Sequence, residues 1–188
     1  MRFPVDPSIV VDESVRLCTL RPADAEAFFD LIVSERDDFE PWFPWMRELR
    51  DLEHCRKFIA VDIERFSTQE RISMGVWLSQ EGKHVLLGAI RVPYIEDGDV
   101  AEITVLLRKN SRGNGLATKA CMAFIHFLFL CGIHRVEAYC GSDNEASVRL
   151  FRDKLGFSHE GTRRESLRVN GHFVSLDTYG LLRSDWDV

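Results

Sequence analysis

The sequence predicts an α+β fold in α/β/α layers, a mixed and mostly antiparallel sheet with helices on its faces, and three stretches carry that expectation. Runs at 72–79, 84–94 and 99–108 are rich in β-branched and apolar residues. They are separated by Gln80-Glu-Gly-Lys83 and Glu96-Asp-Gly98, which hold the glycine and acidic residues that turns favour, so an antiparallel meander is expected. Next, Ala117, Ala120, Cys121, Phe124, Phe127, Leu128 and Cys131 recur at three-and-four spacing until Gly132, the pattern of a long apolar helix with a glycine stop. Residues 134–140 then read as a strand arriving after a helix, which lets it run parallel to the strand before that helix.

In chain order, residues 1–13 read as an extended arm free to fold over a neighbour, and 15–20 alternate as a first strand. Pro22 and Asp24 open a helix whose apolar face is Ala25, Phe28, Phe29, Ile32 and Val33. Residues 37–45 are the least regular stretch, with Pro41 and Pro44 breaking any helix around Trp42, Phe43 and Trp45. These aromatics form either a rim over a binding site, where ring faces attract ammonium groups and keep water out, or the packing between two flanking helices. From Asp51 a second helix carries Leu52, Cys55, Phe58, Ile59, Ile63 and Phe66 on one side. After the strand at 134–140, Ser142-x-x-Glu145 fits a capping box for a short helix at 144–154, with Val148, Phe151 and Leu155 on one side and Gly156 closing it. The end, 157–162 and 174–182 around Asn170-Gly171, reads as a hairpin with longer arms. No repeat, linker or low-complexity tract divides the chain, so residues 1–188 are expected to form a single domain.

Composition narrows the function classes. A net charge of −6 argues against nucleic acid as the main partner; it suits an amine-bearing substrate and equally suits simple solubility. Cys18, Cys55, Cys121, Cys131 and Cys140 are odd in number and contain no C-x-x-C pair, and the histidines lack metal-ligand spacing, so neither a disulfide framework nor a metal site is expected. Pro4, Asp6, Pro7, Asp12 and Glu13 interrupt any signal-like apolar run, and the apolar segment 124–131 is too short to span a bilayer. A soluble, cytoplasmic protein with no membrane partner is the expectation.

Chemistry is expected at the basic loop 108–119, where Arg112, Gly113, Asn114, Gly115, Leu116 and Ala117 lie between a strand and the long helix. A helix start offers unpaired N–H groups and a partly positive dipole end, and a phosphate satisfies both. Gly113 and Gly115 let a bulky diphosphate approach the main chain, and Arg112 adds a positive charge. A Walker loop needs glycine directly before its lysine, where Thr118 stands, and the dinucleotide fingerprint needs its third glycine at that same position; neither fits.

The pattern Arg112-x-x-Gly115-x-Ala117 resembles the pyrophosphate-binding segment of GNAT-type N-acetyltransferases. So do Ala101-Glu102-Ile103 before it and Asp143-Asn144-Glu-Ala-Ser147, Phe151 and Leu155-Gly156-Phe157 after it. Arg16-Leu17, the segment from Pro41 to Trp45, and Leu181-Leu182-Arg183-Ser-Asp-Trp186 are similar to the ribosomal-protein N-acetyltransferase branch, so the likeness spans nearly the whole chain. The resemblance implies a GNAT acyl-CoA N-acyltransferase fold with a splayed parallel strand pair, acetyl-CoA as cosubstrate without a metal, and a homodimer as one arrangement. It implies direct, ternary-complex transfer to a primary amine, either a protein N-terminus, particularly of a ribosomal protein, or a small amine, amino-acid derivative or antibiotic.

Such transfer needs a base for the amine, a donor for the oxyanion and a proton for the thiolate. Alternation puts Glu102 on one face with Thr104 and Leu106, away from Ile103, Val105 and Leu107, and makes it the first candidate base; a solvated charge at a strand's start is the alternative. Glu165 is the second candidate. In the ribosomal branch a glutamate shortly before the Asn-Gly turn has this role, and the matching position holds Leu167, a departure that leaves a non-catalytic cofactor-binding sensor as the rival reading. The N–H of Leu106 or Leu107 is the expected oxyanion donor. The resemblance points to Ser147 for the leaving group and to Asn144 for the pantetheine; read alone, both are ordinary first-turn residues. Tyr139 and Tyr179 are further proton donors or simple packing, and Trp42 and Trp45 are the candidate acceptor-site residues.

Overall fold

The computed structural model describes residues 3–96 and 99–186, so the Asp97-Gly98 part of one expected turn lies outside the described residues. Strands β1 (Ser8–Val10), β2 (Val15–Thr19), β3 (Ile72–Gln80), β4 (Lys83–Val92) and β7 (Thr104–Leu107) form one sheet in that order, every pair antiparallel. A second sheet has the order β5 (Ile95–Glu96), β6 (Val100–Glu102), β8 (Arg135–Gly141), β10 (His172–Leu182), β9 (Ser158–Val169). Its β6–β8 pair is parallel and the rest antiparallel.

Helices α1 (Ala25–Phe39) and α2 (Leu52–Ser67) cover one face of the first sheet, and α3 (Leu116–Leu130) covers the other. Alternation along the strands sorts the apolar side chains into two cores accordingly. Leu17, Met74, Val76, Ile90 and Leu107 pack with Phe124 and Leu128 of α3, whereas Leu20, Leu86, Ala89 and Leu106 pack with Phe28, Ile32 and Ile59. The expected layers and mixed sheet are therefore present.

One expected strand is two. Residues 99–108 divide at Ile103, whose N–H donates to Glu137 O on β8 at 2.8 Å; from Thr104 onward the chain pairs with β4 instead. β7 and β8 part at this point. That is the splay, and it opens a cleft at the centre of the molecule.

Other expectations shift for local reasons. The N-terminal arm folds onto this chain's own core, with Phe3 buried and stacked between Phe66 and Phe127. Helix α1 runs on through Asp37 and Asp38 to Phe39, before the first proline stops it. Val33 and Ile63 face solvent, and Leu31 takes up the buried position that Val33 was expected to fill. Ser142 caps nothing: its O–H donates to Asp177 Oδ1 at 2.9 Å, and Asn144 is the N-cap of α4 (Glu145–Val148), accepting Ser147 N–H at 3.2 Å. A π-helical stretch, Arg149–Lys154, completes that segment. The terminal hairpin is longer than its apolar pattern suggested, starting from exposed Ser158, and Asn170 and Gly171 turn it with φ of 48° and 86° as a type I′ turn requires. No described helix is long and apolar enough to cross a membrane.

Candidate active site

Two cavities meet where β7 and β8 part. One, of about 560 Å³, is lined by Leu107, Gly113, Gly115, Ala117, Thr118, Arg149 and Lys154 among others. The other, of about 450 Å³, is lined by Trp45, Arg91, Tyr94, Glu102, Thr104 and Tyr139. Phe39, Trp42, Val105, Asn144 and Ser147 line both and form the passage between them.

The glycine loop builds the first cavity. Gly113 and Gly115 adopt φ of 81° and 83°, which a side chain would strain, and nothing lies within 4 Å of where a Cβ would be. Gly115 stands as N-cap of α3 without a side-chain cap. Two of the loop's amides are nonetheless taken: Arg112 N–H by Lys109 O at 3.3 Å and Leu116 N–H by Asn114 Oδ1 at 3.1 Å. The amides of Ala117 and Thr118, in the first helical turn, are left to face the cavity.

Arg112 lines this cavity and is also held from several sides. Its Nη2 pairs with Glu35 at 2.5 Å, Nη1 with Asp38 at 2.8 Å, Nε donates to Leu107 O at 2.8 Å, and the guanidinium lies over Phe39. Arg112 is thus paired with two carboxylates of α1 and braces the loop against helix and strand. Arg149 and Lys154, on the far wall of the same cavity, are exposed cations better disposed for a diphosphate, and sequence reasoning missed them. The side chains of Phe151 and Leu116 turn to the core. Phe151 is buried edge-on against Phe157, and the Leu116 side chain is buried with α3, so neither side chain lines the cavity.

Ladder geometry separates the two oxyanion candidates. Arg108 N–H donates to Leu87 O at 2.7 Å, and the register pairs Leu106 with Ala89 and Leu107 with Gly88. Bonded pairs alternate in an antiparallel ladder, so the Leu106 amide is consumed by β4. The amides of Leu107 and Val105 point the other way, into the splay. Leu106 is thereby removed as a donor, and Val105 joins Leu107.

In the second cavity Glu102 accepts the Tyr94 hydroxyl at 2.9 Å. Burial pushes its carboxyl above the ordinary range, the Tyr94 bond pulls it down, and Glu137 and Glu96 push it up again. Glu137 is the register partner of Glu102 on β8 and is held by Arg135 Nε at 2.8 Å and by the Tyr139 hydroxyl at 2.7 Å. Burial, then Glu102 and other nearby carboxylates, raise the Tyr94 phenol to about 12. Burial and Glu137 raise Tyr139 likewise. Glu165 stands apart, exposed at a bulge with φ 49°, while Leu167 lines the cavity in its place. Tyr179 is buried beside His159, away from both cavities.

The aromatic segment both packs against a helix and lines the second cavity. Trp45 stacks on Phe58 of α2 at 5.1 Å and also lines the second cavity. Trp42 lies against Gly141, where a Cβ would come within 2.5 Å of the indole. Gly141 is thus what admits the ring to the passage. The described residues include no group of three or more His, Cys, Asp or Glu that could hold a metal ion.

Known proteins share this architecture. The family described as an acetyltransferase (GNAT) domain matches residues 14–158. A Bacillus subtilis (strain 168) protein named "Putative ribosomal N-acetyltransferase YdaF" is 29% identical over 180 residues, which is 94% of this chain and 96% of that relative. Among solved structures, RimL, a ribosomal L7/L12 alpha-N-protein acetyltransferase in complex with coenzyme A, superposes with a TM-score of 0.87 at 19% identity, covering 96% of this chain and all of that one. A ribosomal-protein-S5-alanine acetyltransferase from Vibrio fischeri gives 0.86 at 19% identity, covering 97% and 100%. The match over residues 14–158, on a chain whose two sheets part beside a glycine-capped helix, identifies this protein as a member of the GNAT family of N-acetyltransferases.

Proposed function

We propose that the protein transfers the acetyl group of acetyl-CoA directly to a primary amine in a ternary complex, the acceptor being the N-terminal amine of a ribosomal or other protein. The observation that carries this reading is the passage at Trp42, Val105, Asn144 and Ser147, which joins a phosphate-suited cavity to one holding the half-buried carboxylate of Glu102. The fit to the coenzyme rests on open space beside Gly113 and Gly115, the two free amides that follow, and the cations Arg149 and Lys154. When bound, acetyl-CoA supplies an activated acyl group on a good leaving thiol.

The residues divide the work. Glu102 removes the proton that leaves the amine nitrogen with a lone pair; its raised pKa brings it nearer the operating pH than a free carboxylate. The N–H groups of Leu107 and Val105 donate toward the oxygen on which charge develops. Ser147 supplies the proton to the departing sulfur, with the Asn144 amide nitrogen left for the pantetheine because its oxygen caps α4. We read residues 1–188 as one catalytic domain working in the cytoplasm.

Relatives named as ribosomal-protein acetyltransferases support a protein amine over a free small one. Calorimetry with acetyl-CoA, then thiol release with a panel of N-terminal peptides and small amines, tests the reading. Saturable binding lost in Gly115→Trp, and turnover lost in Glu102→Gln, are the expected results. Leu167, standing where a relative's glutamate would, favours a sensor that binds coenzyme without transfer; binding with no thiol release from any amine would select it.

A further inference from the structure

Arg91 has no part in the chemistry above, yet it is a buried cation on the wall of the acceptor cavity. It projects from β4 opposite Thr104, two residues along from Glu102. Only 6% of its side chain is exposed. Its guanidinium lies 4.6 Å from the Phe58 ring centroid and 4.8 Å from that of Trp45. Nε donates to Ser73 Oγ at 2.8 Å, and Nη2 reaches both oxygens of Asp62 at 3.1 Å.

The charges around this group do not balance. Asp62 also receives Arg71 Nη1 at 2.6 Å, so a single buried carboxylate serves two guanidinium groups. Arg91 Nη1 has no hydrogen-bond partner among the described residues. Burial lowers the pKa of Arg91, Asp62 holds it up, and the neighbouring Arg71 lowers it again. At the mouth of the same cavity Arg163 is exposed and without an ion pair among the described residues. The unpartnered Nη1 of a guanidinium fixed by Ser73 and Asp62 is a charged donor suited to one oxygen of a carboxylate.

We infer that the acceptor is an amine that also carries a carboxylate, and that the unpartnered Nη1 of Arg91, aided by Arg163, receives it while Glu102 faces the amine. This rests on the transfer reading above and narrows its substrate. The chemistry is shared by a peptide with an acidic N-terminal residue and by a free acidic amino acid, and the assay below separates them.

Thiol release at saturating acetyl-CoA is measured for wild-type protein with peptides identical except for an N-terminal Asp or Asn, and with free aspartate beside its diamide. The Asp peptide is expected to show at least a tenfold higher kcat/KM than the Asn peptide, expressed mainly in KM. If free aspartate is instead the better substrate relative to its diamide, the small-molecule source is selected. Arg91→Met is expected to bring the acid-to-amide ratio close to one with acetyl-CoA affinity retained by calorimetry. If Arg91→Met does not fold, Arg91→Lys, which keeps a charge for Asp62 but not the fork, is expected to lower the ratio partway. Equal kcat/KM for acid and amide in the wild-type protein overturns the inference and leaves transfer standing. A full preference surviving in folded Arg91→Met overturns the role of Arg91. Absence of turnover with every amine, despite acetyl-CoA binding, removes the transfer reading and this inference with it.

Discussion

At the scale of single residues, Glu102 carries the sharpest expectations. Glu102→Gln keeps the shape and the Tyr94 contact but holds no removable charge, so kcat/KM should fall by about 10²–10⁴ at neutral pH while acetyl-CoA affinity is unchanged. Because burial raises this carboxyl, the acidic limb of the pH–rate profile should lie above the ordinary carboxylate range and be lost in the variant. Stability has the matching sign. The folded protein holds the Glu102 proton more tightly than the unfolded chain, so its contribution is complete below the unfolded pKa and is lost as pH rises through the folded one. Glu102→Gln should therefore gain stability relative to wild type between pH 4 and pH 7, measurable by urea unfolding at both. Strand alternation made Glu102 a candidate from the sequence. Its partners were not legible, because Tyr94 reaches it from the link between β4 and β5, eight residues before, and Glu137 from β8, thirty-five residues after.

At the scale of elements, the unit is β7, its loop and the start of α3. Glycine spacing marked that unit in the sequence, and the local backbone obeys it: φ of 83° at Gly115 is a demand that only the neighbouring residues set. Gly115→Ala should cost about 1–2 kcal/mol by urea unfolding, the penalty of a left-handed alanine. The larger Gly115→Trp should abolish acetyl-CoA binding in calorimetry. Arg112 teaches the opposite lesson. A basic residue beside a phosphate loop looks like an anion ligand until α1 is folded against it, and Glu35 and Asp38 are more than seventy residues away. Arg112→Met should leave Glu35, with a side chain only 9% exposed, without its partner and cost about 1.5–3 kcal/mol by urea unfolding. Loss of acetyl-CoA affinity should follow only as far as the loop loosens.

At the scale of the whole molecule, the site exists because two sheets share one chain and then separate. The Asp62 cluster ties α2, β3 and β4 together behind the cavity that holds Glu102. Asp62→Asn would leave Arg71 and Arg91 facing each other with no counter-charge, and about 3–5 kcal/mol of unfolding free energy should be lost, read from chemical denaturation. Gly141→Val should displace the Trp42 ring from the passage and depress turnover more than stability, because the clash falls on a side chain at a cavity wall. What the sequence determined by itself was periodic or local: strands of alternating residues, helices of three-and-four spacing, the glycine loop, the Asn170-Gly171 turn and the family likeness. These follow from neighbours a few residues apart. Only the tertiary structure decided where 99–108 changes sheets, which of two adjacent amides faces the splay, that Arg112 is already paired, and that Arg91 is not fully so. Each of those depends on which distant group the fold brings within hydrogen-bond reach, and no pattern confined to one segment encodes that.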